Sequence, residues 1–331
     1  MLSIFFAISF GKGDIYQSNY DFPTIFSMIL YKLGFPVNVT WSVADETIIM
    51  VLRMPRVLMA VVIGAMLGIA GVAAQGLFRN PIADPYIIGI SAAAGCGTAL
   101  SVLIGLNAIF LLFTRPLISF IFSILAVIIV YKLSKTRYQM SVIVLLLAGI
   151  AISFIFSSIT SLLLYFSEDK VHYILYFLMG RLWASTWDEI FIVYLVLVPC
   201  IIIMFFYGRD LNVMVFGDEV AQSMGVNIEK SKKVILILMT LLTSTAVAFC
   251  GSIGFVGLII PHIMRILVGN DNRKLIPLSA LSGGLLLIWA DLLSRSLVPP
   301  LEIPVGIFTS LMGAPFFIYL IVQKKKSGEI F

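Results

Sequence analysis

The sequence predicts an all-α fold, a polytopic bundle of transmembrane helices, from three observations. Of 331 residues, 60% are hydrophobic and only 12% are charged, about half the charged share of an ordinary globular domain. Too few charges remain to cover a water-facing surface. The apolar residues fall into long continuous runs, and crossing a bilayer takes about 20 such residues. Backbone polar groups cannot stay unpaired in lipid, and the runs lack the two-residue alternation of a barrel, so they must be helices. Length alone would suggest about two soluble domains. The apolar content instead predicts that residues 1–331 form one domain with lipid as its solvent.

The elements follow in chain order. "MLSIFFAISF" is apolar but only half a span and lacks the basic start of a signal peptide. It reads as the outer half of an incomplete first helix. Candidate spans follow at 57–78, 86–106, 109–131, 141–166, 190–207, 233–252, 275–296 and 304–322, with a marginal one at 255–268. The amphipathic piece "YILYFLMGRLW" (Tyr173–Trp183) predicts a short helix at the membrane surface. Cys96, Cys200 and Cys250 lie in or beside apolar runs, at spacings of neither a disulfide framework nor a zinc site. They read as small buried hydrophobes.

The net charge is +5, and its distribution is a topology signal rather than a nucleic-acid patch. Tyr131–Arg137, Asn227–Lys233, Asn270–Lys274 and the Lys324–Lys326 tail are basic, whereas Ser167–His172 and Thr186–Glu189 are acidic or balanced. The positive-inside rule places the basic set, and the C-terminus, in the cytoplasm of a multi-pass cell-membrane protein. The alternation works only if 255–268 crosses.

Three features could carry function. Gly64 and Gly68 form a GxxxG pair, and Gly251, Gly254 and Gly257 recur at threefold spacing. Small residues let helices approach closely in lipid. They read as generic bundle packing, with a dimer contact or conduit wall as the sharper alternative. Arg53, Arg56 and Arg295 stand at the outer ends of spans, against the positive-inside bias. Snorkelling to the interface accounts for them, and so would a cluster of forks for carboxylates on a soluble partner. Third is the polar "FGDEVAQSMGVN" (Phe216–Asn227) between two apolar runs. Asp218 and Glu219 suit the first turn of a helix, and Gly225 suits a left-handed stop. Such a helix of about two turns cannot stand alone. Either it packs on its own spans, or it is a knob for a cytosolic partner.

The sequence contains no GxxxxGK[ST], HExxH or GxSxG motif, which argues against nucleotide hydrolysis or membrane proteolysis by this chain. Acids inside spans are nearly lacking, against the habit of ion-driven carriers. His172 falls in an outer loop, and His262, with no second ligand near it in sequence, reads as a helix-end residue rather than a metal ligand.

At these residues the chain resembles the FecCD-type permeases, the membrane subunits of ATP-binding-cassette importers for iron–siderophore, haem and cobalamin (vitamin B12). The matching pieces are "RMPR", Gly71–Ser91, Val144–Ile152, "GDEVAQSMGVN", Gly251–Gly269, "ADLLSR" and Glu302–Ile321, in family order from Arg53 onward. The resemblance implies about ten spans, a homodimer around a central conduit, two cytosolic ATPase subunits and an extracytoplasmic substrate-binding protein. No cofactor is expected on this chain, while ATP and magnesium belong to the ATPase partner. Gly217, Asp218, Glu219, Val220, Ala221, Met224, Gly225 and Val226 match the region that docks the ATPase. Arg53, Arg56 and Arg295 match arginines presented to the binding protein. Met140, Ser141, Val142 and Ile143 correspond to the cytoplasmic gate. The competing reading is a secondary transporter driven by an ion gradient.

Overall fold

The computed structural model describes residues 2–10, 20–105, 113–135, 140–167, 170–299 and 301–327. The start of the 109–131 run and parts of the Tyr131–Arg137 and Ser167–His172 loops lie outside these. So do residues 328–331.

The chain opens with α1 (Leu2–Ser9) and α2 (Phe22–Lys32). A capping box then starts α3 (Val43–Thr47): the Asp45 N–H donates to Ser42 Oγ at 3.1 Å, and the Ser42 N–H returns to the Asp45 carboxylate. From there helix continues through a π-helical turn, Ile48–Arg53, into α4 (Met54–Phe78). The predicted 57–78 span is therefore the inner part of one 36-residue helix, Val43–Phe78. The apolar run placed its start too late because Arg53, Pro55 and Arg56 interrupt it. Pro55 has no N–H to donate and crowds the carbonyl four residues back. The wider turn lies directly before it.

After α4 come a 3₁₀ turn (Pro85–Ile88), α5 (Ile90–Leu103), α6 (Thr114–Ser134), α7 (Val142–Tyr165) and α8 (Val171–Leu178). Then follow α9 (Trp187–Met214), α10 (Asp218–Ser223), α11 (Ile228–Cys250), α12 (Val256–Val268), α13 (Asn272–Ser296) and α14 (Val305–Ser327). Six helices among the described residues are long and apolar enough to cross a membrane, and Ile90–Leu103, Val256–Val268 and Val305–Tyr319 are shorter apolar ones. The fold is the all-α transmembrane bundle expected. One apolar core joins residues from α1 to α14, and Cys96, Cys200 and Cys250 are free and buried.

α4 is the central post, buried along most of its length. It meets α13 backbone to backbone. A Cβ on Gly64 would collide with the Gly283 carbonyl, one on Gly283 with the Gly64 carbonyl, and one on Gly68 with the Ser279 carbonyl. The GxxxG pair thus packs two helices of the same chain.

Two segments depart from simple spans. Tyr173–Trp183 holds a short amphipathic helix whose end is tied into the bundle: α8 ends at Leu178, Ile174 and Phe177 are buried while Tyr176, Met179 and Trp183 are exposed, and Gly180 turns the chain at φ +82°. The Arg181 N–H then donates to the Cys250 carbonyl at 2.7 Å. The Val305 N–H donates to Gly180 O, and the Gly306 N–H to Met179 O, each at 3.1 Å. Three backbones cross at Gly180, Gly251 and Gly306, where side chains would block the approach. From this crossing 251–255 runs non-helically into the bundle before α12 begins. Irregular backbone among spans must be satisfied by protein. The Tyr86 hydroxyl does this at Ile253, donating to its carbonyl at 3.1 Å and accepting from its N–H at 3.2 Å. That irregular stretch extends the path of the short 255–268 run.

Candidate functional site

The predicted site residues fall at the two ends of the bundle. At the first end, α10 stands between the C-terminus of α4 and the start of α11. Gly217 precedes it at φ +110°, and Gly225 ends it in the left-handed region at φ +84°. The Gly225 N–H bonds Gln222 O and the Val226 N–H bonds Ala221 O. That is the double closure of a Schellman stop, with its apolar contact supplied by Ala221 and Val226. These two are buried, whereas Glu219, Val220 and Met224 are exposed. The helix therefore has an inner face that holds it and an outer face left open.

Asp218 anchors this knob. One carboxylate oxygen accepts from Arg79 at the end of α4, and the other lies 2.5 Å from the Lys232 ammonium on α11. Burial works against its charge. The hydrogen bond and charge of Lys232, then those of Arg79, outweigh that and hold the carboxyl below its usual range. Lys232 is itself only 3% exposed, so removing Asp218 would leave a buried cation unpaired.

The predicted gate adjoins the same anchor. Met140 is buried and pairs with Lys135 in an isolated antiparallel bridge, and its N–H donates to Glu229 of α11 at 3.0 Å. Ser141 caps α7 by accepting from the Val144 N–H. Ile143 is exposed. A cleft of about 440 Å³ separates the gate from the knob, lined by Leu77, Phe78, Met140, Ile143, Asp218 and Lys232 among others. Gate and knob are thus tied to the same first turns of α11, at Glu229 and Lys232. No sequence spacing shows this.

At the other end, Arg53, Arg56 and Arg295 come together, but not on the surface. They are 2%, 7% and 4% exposed, which corrects the expectation that they project outward. Arg56 donates from Nε to Asp291 and from Nη1 to Glu302, both at 2.8 Å. Arg295 lies 3.6 Å from the other Asp291 oxygen and also donates to the Ala7 carbonyl. Arg53 donates to the Ile8 and Ser9 carbonyls at 3.1 and 3.2 Å and covers the Tyr20 ring. The last carbonyls of a helix lack partners and carry partial negative charge. Two arginines therefore close the end of α1, and a third joins α4 to α13. Buried cations persist only when paired in this way.

The sequence reading missed Asp291 as the hub of this cluster. The available signal was the Asp291–Arg295 pair, four apart on one helix face. Of the packing glycines, Gly257 meets Pro85 and the Leu67 carbonyl, as expected. Gly254 differs: a Cβ there would meet only Ser310 Oγ at 3.9 Å, so packing does not require glycine at that position.

A bundle of long apolar helices, with a small exposed helix tied through α11 to the Met140–Ile143 segment, fits a membrane transport subunit. Comparison with known proteins gives its family. The FecCD transport family profile matches residues 1–323, and the chain belongs to that family, as the permease subunit of an ATP-binding-cassette importer. It is 40% identical to the ABC transporter permease protein YvrB of Bacillus subtilis (strain 168), over 99% of this chain and 92% of that one. It is 37% identical to the cobalamin import system permease protein BtuC of Halobacterium salinarum, over 85% and 74% respectively. Among solved structures it matches an inward-facing metal-chelate type ABC transporter, with a TM-score of 0.78 and 29% identity, covering 98% of this chain and all of that one.

Proposed function

We propose that this chain, as one transmembrane domain and half of a homodimer, forms an alternating-access conduit for a bulky metal chelate. The cargo class is that of iron–siderophore, haem or cobalamin. A soluble binding protein delivers the chelate at the arginine end. Two cytosolic ATPase subunits, which hold the ATP and magnesium, grip α10 at the other. The basic loops and the C-terminus face the cytoplasm. The chain carries no cofactor of its own and makes or breaks no covalent bond. The observation that carries this reading is the Asp218 anchor, which joins an exposed knob to the helix that also holds the gate. Met140–Ile143 closes the cytoplasmic mouth, with mostly apolar side chains, Ser141 excepted, suited to closure by dewetting. On the external side, the buried arginines organise the surface the binding protein meets, and Glu302, 30% exposed at its side chain, is one charged group offered there.

The test is reconstitution in vesicles with and without the ATPase. Uptake is expected only with the ATPase, ATP and binding protein together. Gradient-driven uptake by the bare chain would establish a secondary transporter instead.

A further inference from the structure

The groove between α6 and α11 has no part in the conduit scheme above. Its volume is about 510 Å³, and Val127, Ile128, Leu236, Ile237 and Leu241 line much of it. With Ile124 and Tyr131 they fall at 124, 127, 128 and 131 on α6 and at 236, 237 and 241 on α11, so each helix offers one apolar face. The polar Thr240 in the lining donates its hydroxyl to its own helix, to Leu236 O at 2.7 Å. Along 231–250 only Lys233 and Ile237 are exposed, and both line this groove. The three cations of the groove, Lys132, Lys135 and Lys233, all stand at the end nearest the helix termini. Among the described residues, no ion pair joins any of them to a carboxylate.

We propose that this groove holds an anionic phospholipid of the cytoplasmic leaflet. An acyl chain lies between α6 and α11, and the phosphate sits among the three lysines. The charge pattern selects this occupant. A groove at membrane depth that is apolar along its length and cationic only at the headgroup level matches a lipid in both halves. A free phosphate would use the lysines and leave the apolar length empty. The proposal rests on the cytoplasmic placement of the basic loops, but not on cargo, gate or ATPase.

The test is native mass spectrometry of the purified full chain in detergent, with phosphatidylglycerol and phosphatidylcholine of matched acyl chains in competition. Phosphatidylglycerol is expected to be retained in preference. Combining Lys132→Gln, Lys135→Gln and Lys233→Gln should weaken it at least tenfold and leave phosphatidylcholine unchanged. Ile237→Trp, which fills the apolar half, should lower retention of both lipids. Equal binding of the two lipids by the native chain, or undiminished phosphatidylglycerol binding by the lysine variant, overturns the proposal. Displacement by millimolar inorganic phosphate would assign the lysines to a free anion, and also overturns it. A disulfide between two Ile237→Cys copies in the membrane would make the groove a protein interface, and would overturn it too. None of these readouts involves transport, so their failure is separable from failure of the conduit reading.

Discussion

Arg56 Nε lies 2.8 Å from Asp291 Oδ1, a contact between residues 235 positions apart that fastens the central helix to α13. Asp291 is fully buried and also faces Arg295 at 3.6 Å. Its charge is what makes two buried guanidiniums tolerable. Asp291→Asn should therefore destabilise the chain by about 3–5 kcal/mol, the range for breaking a buried pair from one side. Glu302→Gln, at the exposed edge of the same cluster, should change stability by about 1 kcal/mol or less. Thermal unfolding in detergent checks both, and equal losses would mean that burial is not the deciding factor.

The α4–α13 contact predicts a sharp contrast between glycines. Gly283→Ala drives a methyl group into the Gly64 carbonyl and must force the two helices apart, so a loss of about 1–3 kcal/mol is expected. Gly254→Ala has room, with Ser310 Oγ its nearest neighbour at 3.9 Å, and should stay within about 0.5 kcal/mol of the native chain. The same unfolding measurement reads both.

The two faces of α10 should separate docking from folding. Glu219→Lys with Met224→Lys alters only exposed side chains, and should release the ATPase during copurification without changing the melting temperature. Ala221→Lys places a charge on the buried face and should lower the melting temperature as well. Retention of the ATPase by the double variant would reduce α10 to a structural loop.

The Asp218 anchor gives a pH prediction of definite sign. Its carboxyl is held below the ordinary value of 3.8 in the folded chain. The anchor's contribution is thus complete above that value and fades as pH falls through the lower, folded one. Protease sensitivity of Phe216–Asn227 should be flat from pH 8 to about 5 and rise only below about pH 4. Asp218→Asn should show the raised sensitivity at neutral pH.

Much of this architecture was legible in the sequence because lipid imposes simple rules. Run length located α7 and α13 to within a few residues and α6, α9 and α11 more loosely, α9 extending to Met214, seven residues past the run; the acidic start and Gly225 located α10. The failures share one physical cause: pairing across long sequence separations. Arg53 and Arg56 looked like the exposed edge of a span because nothing nearby neutralises them. Their partners are the end of α1 and the distant Asp291 and Glu302, so the helix runs straight through. The contact of the Gly180 turn after α8 with Gly251 and Gly306 is likewise invisible to local periodicity. The tie between Met140 and α10 through Glu229 and Lys232 is also tertiary, and no periodicity encodes it.

The crossing at Gly180, Gly251 and Gly306 has a mechanical consequence. Main chains touching with little but the Ile253 side chain beside them leave little to reshuffle, so the ends of α8 and α11 are riveted to α14 there. A swing of α11 begun at its Lys232 end must carry both companions along. In the proposed conduit, the far mouth would then alter its outline as a single rigid piece.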